Sequence, residues 1–93
     1  MPELTHFRDG GGRFRVLEAR REQVATVDIY VRCNTDGGRL VWRAPGAGDE
    51  RSLPMPTDAA RLCSITVAPD GWVDLESPDE DARCHWEIVK ITA

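Results

Sequence analysis

Ala25-Thr26-Val27-Asp28-Ile29-Tyr30-Val31-Arg32-Cys33 decides the fold class. Ala25, Val27, Ile29, Val31 and Cys33 alternate with Thr26, Asp28, Tyr30 and Arg32, the period of two that marks a strand with one buried face. The residues that follow, Asn34-Thr35-Asp36-Gly37-Gly38, contain Asp-Gly, which tolerates the positive φ angles of a tight hairpin. A hairpin centred there sets Cys33 opposite Leu40, Arg32 opposite Val41 and Val31 opposite Trp42, so Leu40 and Trp42 join the inner face.

A second hairpin is expected between Leu62–Ala68 and Trp72–Ser77, around Ala68-Pro69-Asp70-Gly71. A type I turn followed by a left-handed glycine gives a three-residue loop that opposes Val67 to Val73, Ile65 to Leu75 and Cys63 to Ser77. The shorter Asp-Gly loop would pair Val67 with Asp74 and Ile65 with Glu76, mixing carboxylates into the core.

Outside these pairs the pattern is weaker. Residues 1–12 hold Pro2, Asp9 and Gly10-Gly11-Gly12 without sustained periodicity and read as a loose N-terminal arm; Phe14–Ala19 is a candidate first strand, which Arg20-Arg21-Glu22-Gln23 could equally extend as a helix. Residues 44–59 contain three prolines and two glycines and read as one long loop, in which Thr57 can cap a short helical turn. Ser77-Pro78-Asp79-Glu80 has the form of a capping box and predicts another helical turn. In the last strand, Cys84–Thr92, Trp86 and Ile88 share one parity and Val89 and Ile91 the other, so either a β-bulge falls near Ile88, the preferred reading, or both faces are covered. The sequence therefore predicts a single all-β domain, a small antiparallel β-sandwich or partly open barrel of five to seven strands with one long loop. Its expected core is Val27, Ile29, Val31, Leu40, Trp42, Ile65, Val67, Val73, Leu75 and Trp86.

Ninety-three residues accommodate one core, and a content of 41% hydrophobic and 30% charged residues is that of a folding chain, not a disordered one. No apolar run reaches the roughly 18 residues of a membrane helix, and the opening Met-Pro-Glu-Leu-Thr-His lacks the pattern of a signal peptide, so a cytoplasmic address without membrane partners is expected. Charge is uneven. Residues 1–43 carry eight arginines against six acids, whereas residues 44–93 carry four bases against ten acids. In a sheet protein such halves interleave, and the split need not survive folding. A pI of about 5.1 argues against direct nucleic-acid binding, which depends on basic groups displacing phosphate counterions. Arg supplies eleven of the twelve bases, a bias that suits bidentate recognition and equally a GC-rich bacterial or phage genome.

Cys33, Cys63 and Cys84 are an odd number at wide spacing and read as reduced, buried thiols. With no Cys-x-x-Cys pair, and with Cys84 and His85 on opposite faces of one strand, no metal site is expected. Unless the bulge alters their facing, the same opposition denies Cys84 and His85 a catalytic dyad; His6 lies in the arm, and the glycine run lacks the Lys-Ser/Thr of a phosphate loop. Asp74 and Glu76 share one strand face but no enclosed pocket is indicated. The expectation is a protein without cofactor or catalytic residues.

The outward array is more informative. The two hairpins would expose Asp28, Tyr30, Arg32, Val41 and Arg43, and Thr66, Ala68, Trp72, Asp74 and Glu76. Tyr, Trp and Arg anchor protein interfaces, because each brings large area or a rigid hydrogen-bonding fork at modest entropic cost. The candidate partner-binding set is Trp72, Tyr30 and Arg43 as anchors, with Arg32, Asp74 and Glu76 around them. That composes a small protein-binding domain, adaptor- or inhibitor-like. Two alternatives are a self-associating structural subunit of a phage or tail-like assembly and an acidic inhibitor that imitates nucleic acid.

Overall fold

A computed structural model describes residues 5–19, 22–46, 48, 50–57 and 59–92, with residues 5–8 described by their backbone. The chain is all-β. Its strands are β1 (Thr5–Asp9), β2 (Gly12–Glu18), β3 (Ala25–Cys33), β4 (Arg39–Arg43), β5 (Glu50–Pro54), β6 (Arg61–Val67), β7 (Trp72–Ser77) and β8 (Arg83–Thr92). They form two antiparallel four-stranded sheets, sheet A in the order β1-β8-β3-β6 and sheet B in the order β2-β7-β4-β5. With a shortest dimension of 17 Å, the molecule is a two-layer slab, a sandwich and not a closed barrel. No helix among the described residues is long and apolar enough to cross a membrane.

The alternation in β3 is borne out, with all five odd-numbered side chains buried and the even-numbered ones exposed or half-exposed. The ten expected core residues all belong to the core, Trp42 as a half-buried neighbour of it. Phe14 from sheet B meets Trp86 from sheet A with ring centroids 5.1 Å apart, tying the layers together. The bulge in the last strand is also present: the β3–β8 register passes from Asp28–Lys90 to Ile29–Ile88, leaving Val89 as the extra residue.

Neither expected hairpin forms. β3 and β4 lie in different sheets, as do β6 and β7. The 34–38 and 68–71 segments are arches that carry the chain from one layer to the other. In an arch, as in a hairpin, the inner residues of both strands face the same core, so parity cannot distinguish a neighbour in the sheet from a strand in the opposite layer. Among the described residues one hairpin joins successive strands, β4 to β5, and β5 lies inside residues 44–59, the stretch expected to be a long loop. Every other connection crosses between the sheets.

The local chemistry of the turns differs accordingly. Gly71 N–H donates to Ala68 C=O at 2.8 Å, and it is Asp70, not Gly71, that takes the left-handed conformation, with φ of 56°. Positive φ at the third position makes this a type II arrangement. No helical turn follows Ser77. Asp79 organises the segment as an Asx-turn, its Oδ1 accepting the Asp81 N–H at 2.9 Å, while Ala82 N–H donates to the Asp79 C=O at 3.0 Å. Thr57 caps no helix either; it bridges Cys33 in parallel and its hydroxyl donates to Asp36. The residues read as an arm include β1, which pairs with β8 from Thr5–Glu87 to Asp9–Arg83. The glycine run supplies the crossing from β1 to β2: Gly10 and Gly12 have φ near 100°, and a Cβ on Gly11 would stand 2.9 Å from the Asp79 carbonyl oxygen.

Candidate interaction faces

The outer face of sheet B is built by strand parity. β2 contributes Arg13 and Arg15, β7 contributes Trp72, Asp74 and Glu76, and β4 contributes Arg39, Val41 and Arg43. Arg13 Nε donates to Asp74 Oδ2 at 2.8 Å, Arg15 Nε donates to Asp74 Oδ1, and Arg15 Nη1 reaches Glu18 Oε1 at 3.1 Å. Arg13 Nη2 also donates to Glu50 Oε2 at 2.9 Å. Because β2 and β5 are opposite edges of this sheet, that last contact spans the face above β7 and β4, about 14 Å at the usual strand spacing. Hydrogen bonding to Glu50, and then to Asp74, raises the pKa of the Arg13 guanidinium further above its ordinary value. Arg39 Nη2 pairs with Glu76 Oε1 at 2.9 Å.

Two consequences follow for residues expected to be exposed. Asp74 is 5% exposed and Val41 1%, although both point away from the core. The Arg13 and Arg15 guanidinium groups close over the Asp74 carboxylate, and the Arg13–Glu50 pair reaches across β4, the strand that carries Val41. Trp72 is half-buried, with the Arg13 and Arg15 guanidinium carbons 4.9 and 5.1 Å from its ring centroid. Asp74 is thus an internal acceptor for two arginines, and Trp72 is a platform for its own chain. Ala68, also expected outside, is buried, and its N–H donates to the Arg43 carbonyl at 2.9 Å. Arg43 is exposed one position beyond the last β4–β7 pair, Trp42–Val73.

Tyr30 and Arg32 are on the other side of the molecule. They belong to the outer face of sheet A, so the six candidate residues do not form one surface: Trp72, Asp74, Glu76 and Arg43 lie on sheet B, Tyr30 and Arg32 on sheet A. The single face inferred from two coplanar hairpins fails because the arches place their strands in opposite layers.

Sheet A has a different character. The large apolar residues exposed among those described are Val24 (42%), Tyr30 (38%), Leu62 (56%) and Val89 (58%). Tyr30 and Leu62 are directly opposed on β3 and β6, Val24 continues the outward parity of β3, and Val89 is the bulge residue of β8. All four belong to sheet A or its margin. Ser64 Oγ donates to Asp28 Oδ1 at 2.7 Å beside them. Leu62 was legible from its parity, opposite to that of buried Cys63, Ile65 and Val67.

β6 ends sheet A. Next to it, Trp42, Ala44, Pro45, Arg51, Ser64, Ile65 and Thr66 line an open groove of about 420 Å³, which accounts for Trp42 being only half-buried. Cys84, whose facing the parity left open in a bulged strand, is buried, and its neighbour His85 is half-buried; the His6 side chain lies outside the described residues. Among the described residues no group of three or more His, Cys, Asp and Glu could hold a metal ion. Compared with known proteins, the chain matches no family model and no curated protein sequence.

Proposed function

We propose that the chain is a small non-catalytic protein-binding domain, adaptor- or inhibitor-like, and that it engages its partner through the outer face of sheet A. The observation that carries this reading is the segregation of exposed apolar area: Val24, Tyr30, Leu62 and Val89 belong to one sheet or its margin, while the outer face of the other is closed by its own ion pairs. Scattered exposed apolar residues are ordinary, but a one-sided distribution with a directly opposed Tyr–Leu pair is the form of an interface core. Asp28, Arg32, Ser64 and Glu87, the neighbours of the pair along and across β3, β6 and β8, supply polar groups suited to a rim.

The nucleic-acid mimic has less support, because Glu18, Glu50, Asp74 and Glu76 are matched by arginines and leave no free acidic row on that face. A self-assembling subunit would use the same apolar face against a second copy. Light scattering across a concentration series distinguishes the two uses: the binding-domain reading expects a monomer throughout. The direct test is affinity capture from the native host with the wild-type chain and with a Tyr30→Ala, Leu62→Ser variant. A partner retained by the former and lost by the latter, with both chains folded, supports the reading; equal capture by both refutes the assignment to sheet A.

A further inference from the structure

Cys33 ends β3 and Cys84 is the second residue of β8, and the register sets them directly opposite one another. The next pair along, Asn34 and Arg83, is hydrogen-bonded: Asn34 N–H donates to the Arg83 carbonyl at 3.1 Å, and Arg83 N–H donates to the Asn34 side-chain oxygen at 2.7 Å. Hydrogen-bonded and non-hydrogen-bonded pairs alternate along an antiparallel ladder. Cys33 and Cys84 therefore occupy a non-hydrogen-bonded position, where Cα atoms stand about 4.5 Å apart and side chains approach most closely. A disulfide accepts Cα separations of about 4.4 to 6.8 Å, so the backbone need not move to admit one. Both side chains point into the core, and the two thiols interact, Cys84 pushing the Cys33 thiol above its ordinary pKa. Cys63 is excluded from this pair, since it faces Ile29 on the opposite flank of β3, four positions away from Cys33 and about 13 Å along the strand.

We propose that Cys33 and Cys84 are a redox modification site, closing to a cross-strand disulfide by exchange with a low-molecular-weight disulfide such as oxidised glutathione. The Cys84 thiolate attacks one glutathione sulfur, the glutathione S–S bond breaks, and one glutathione leaves and takes up a proton. The Cys33 sulfur, its proton lost to solvent, then attacks the Cys84 sulfur of the mixed disulfide and expels the second glutathione. Two protein thiols are oxidised and one glutathione disulfide is reduced to two thiols. Interaction with Cys33 holds the Cys84 thiol below its ordinary pKa against the opposing effect of burial, which makes Cys84 the entry point. Access comes at a ladder end, where opening costs less than in mid-strand, or during folding before the core closes. The bond would staple β3 to β8, the two central strands of sheet A.

The test is to refold the chain from denaturant in mixed oxidised and reduced glutathione, quench with acid, alkylate and digest with trypsin without reduction. Cleavage after Arg32, Arg39, Arg61, Arg83 and Lys90 puts each cysteine on its own peptide, Cys33–Arg39, Leu62–Arg83 and Cys84–Lys90. The expected product joins the first and third, about tenfold or more in excess over any linkage through Cys63, with Cys63 alkylated. A Cys63→Ala variant should give the same linkage, and the oxidised chain should melt at a higher temperature than the reduced one. Cys33 and Cys84 alkylated under conditions that oxidise the unfolded chain, or linkages through Cys63 in comparable yield, would overturn the proposal.

Discussion

Trp72 and Asp74 stand two residues apart on β7 and share the same two arginines: Arg13 and Arg15 each place a guanidinium against the indole ring and donate a hydrogen bond to the carboxylate. The pair is a structural unit of sheet B. Removing the carboxylate leaves two guanidinium groups that have lost a charged acceptor. Asp74→Ala should therefore cost about 2 kcal/mol of stability, measured by urea denaturation, with most of the effect in the transition midpoint. A loss below a few tenths would mean that solvent replaces the carboxylate freely.

Trp72→Ala and Tyr30→Ala should separate stability from recognition. Trp72 is half-buried beneath arginines, so its truncation should lower the melting temperature and affect partner binding little. Tyr30→Ala should do the reverse, weakening binding by about 2 kcal/mol at near-constant melting temperature. Calorimetry on both variants, with titration of a captured partner, checks the contrast.

Gly71 is required by close approach. A Cβ there would stand 2.7 Å from both the Ala68 carbonyl oxygen and Val67 Cγ1, and the first of these is backbone that cannot swing aside. Gly71→Ala should destabilise by about 2 kcal/mol. Asp70→Gly should be neutral or stabilising by up to about 1 kcal/mol, because glycine relieves the left-handed conformation at that position while adding entropy to the unfolded chain. Thermal denaturation of the two single variants reads both signs.

The Asp79 carboxylate is held below its ordinary pKa, first by the Asp81 backbone N–H and then by the Thr35 hydroxyl, which donates at 2.8 Å. A depressed folded-state value contributes stability above the unfolded-state pKa and loses it as pH falls through the folded one. The melting-temperature deficit of Asp79→Ala should thus be full at pH 7 and shrink below about pH 4. A deficit independent of pH would show that the carboxylate's charge contributes nothing to the turn.

Burial pushes the Cys63 thiol above its ordinary pKa despite the nearby charge of Arg61. Labelling of Cys63 by a maleimide at pH 7 should be slow in the folded chain and fast in urea, and mass spectrometry after timed quenching reports it.

What the sequence made legible was parity. The β3 alternation and the apolar sets of β6 and β7 identified the buried residues, because burial depends on which way a side chain points. What it left hidden was adjacency. Val31 and Trp42 face the same core whether β3 and β4 are neighbours or opposite layers, and Asp36-Gly37 serves an arch as well as a hairpin. The charge network was hidden for the same reason. Arg13 and Arg15 flank Phe14 with outward parity, but only the β2–β7 pairing brings them to Asp74, 61 and 59 residues away. The basic surplus of the first half and the acidic surplus of the second meet on sheet B as partners.

The arches also bear on how the chain is made. β1 has only β8 beside it in sheet A, and β2 has only β7 beside it in sheet B. As the chain emerges from the ribosome, Thr5–Asp9 must wait for Arg83–Glu87 and Gly12–Glu18 for Trp72–Ser77, with the β4–β5 hairpin the sole sheet pairing available between successive strands. Sheet A cannot be completed until β8 inserts between β1 and β3. Assembly is then a late, concerted event, slow in the manner of topologies dominated by distant pairings. Until β8 arrives, the flank of β3 that it will occupy is an open strand edge whose unpaired N–H and C=O groups are within reach of any neighbouring nascent chain.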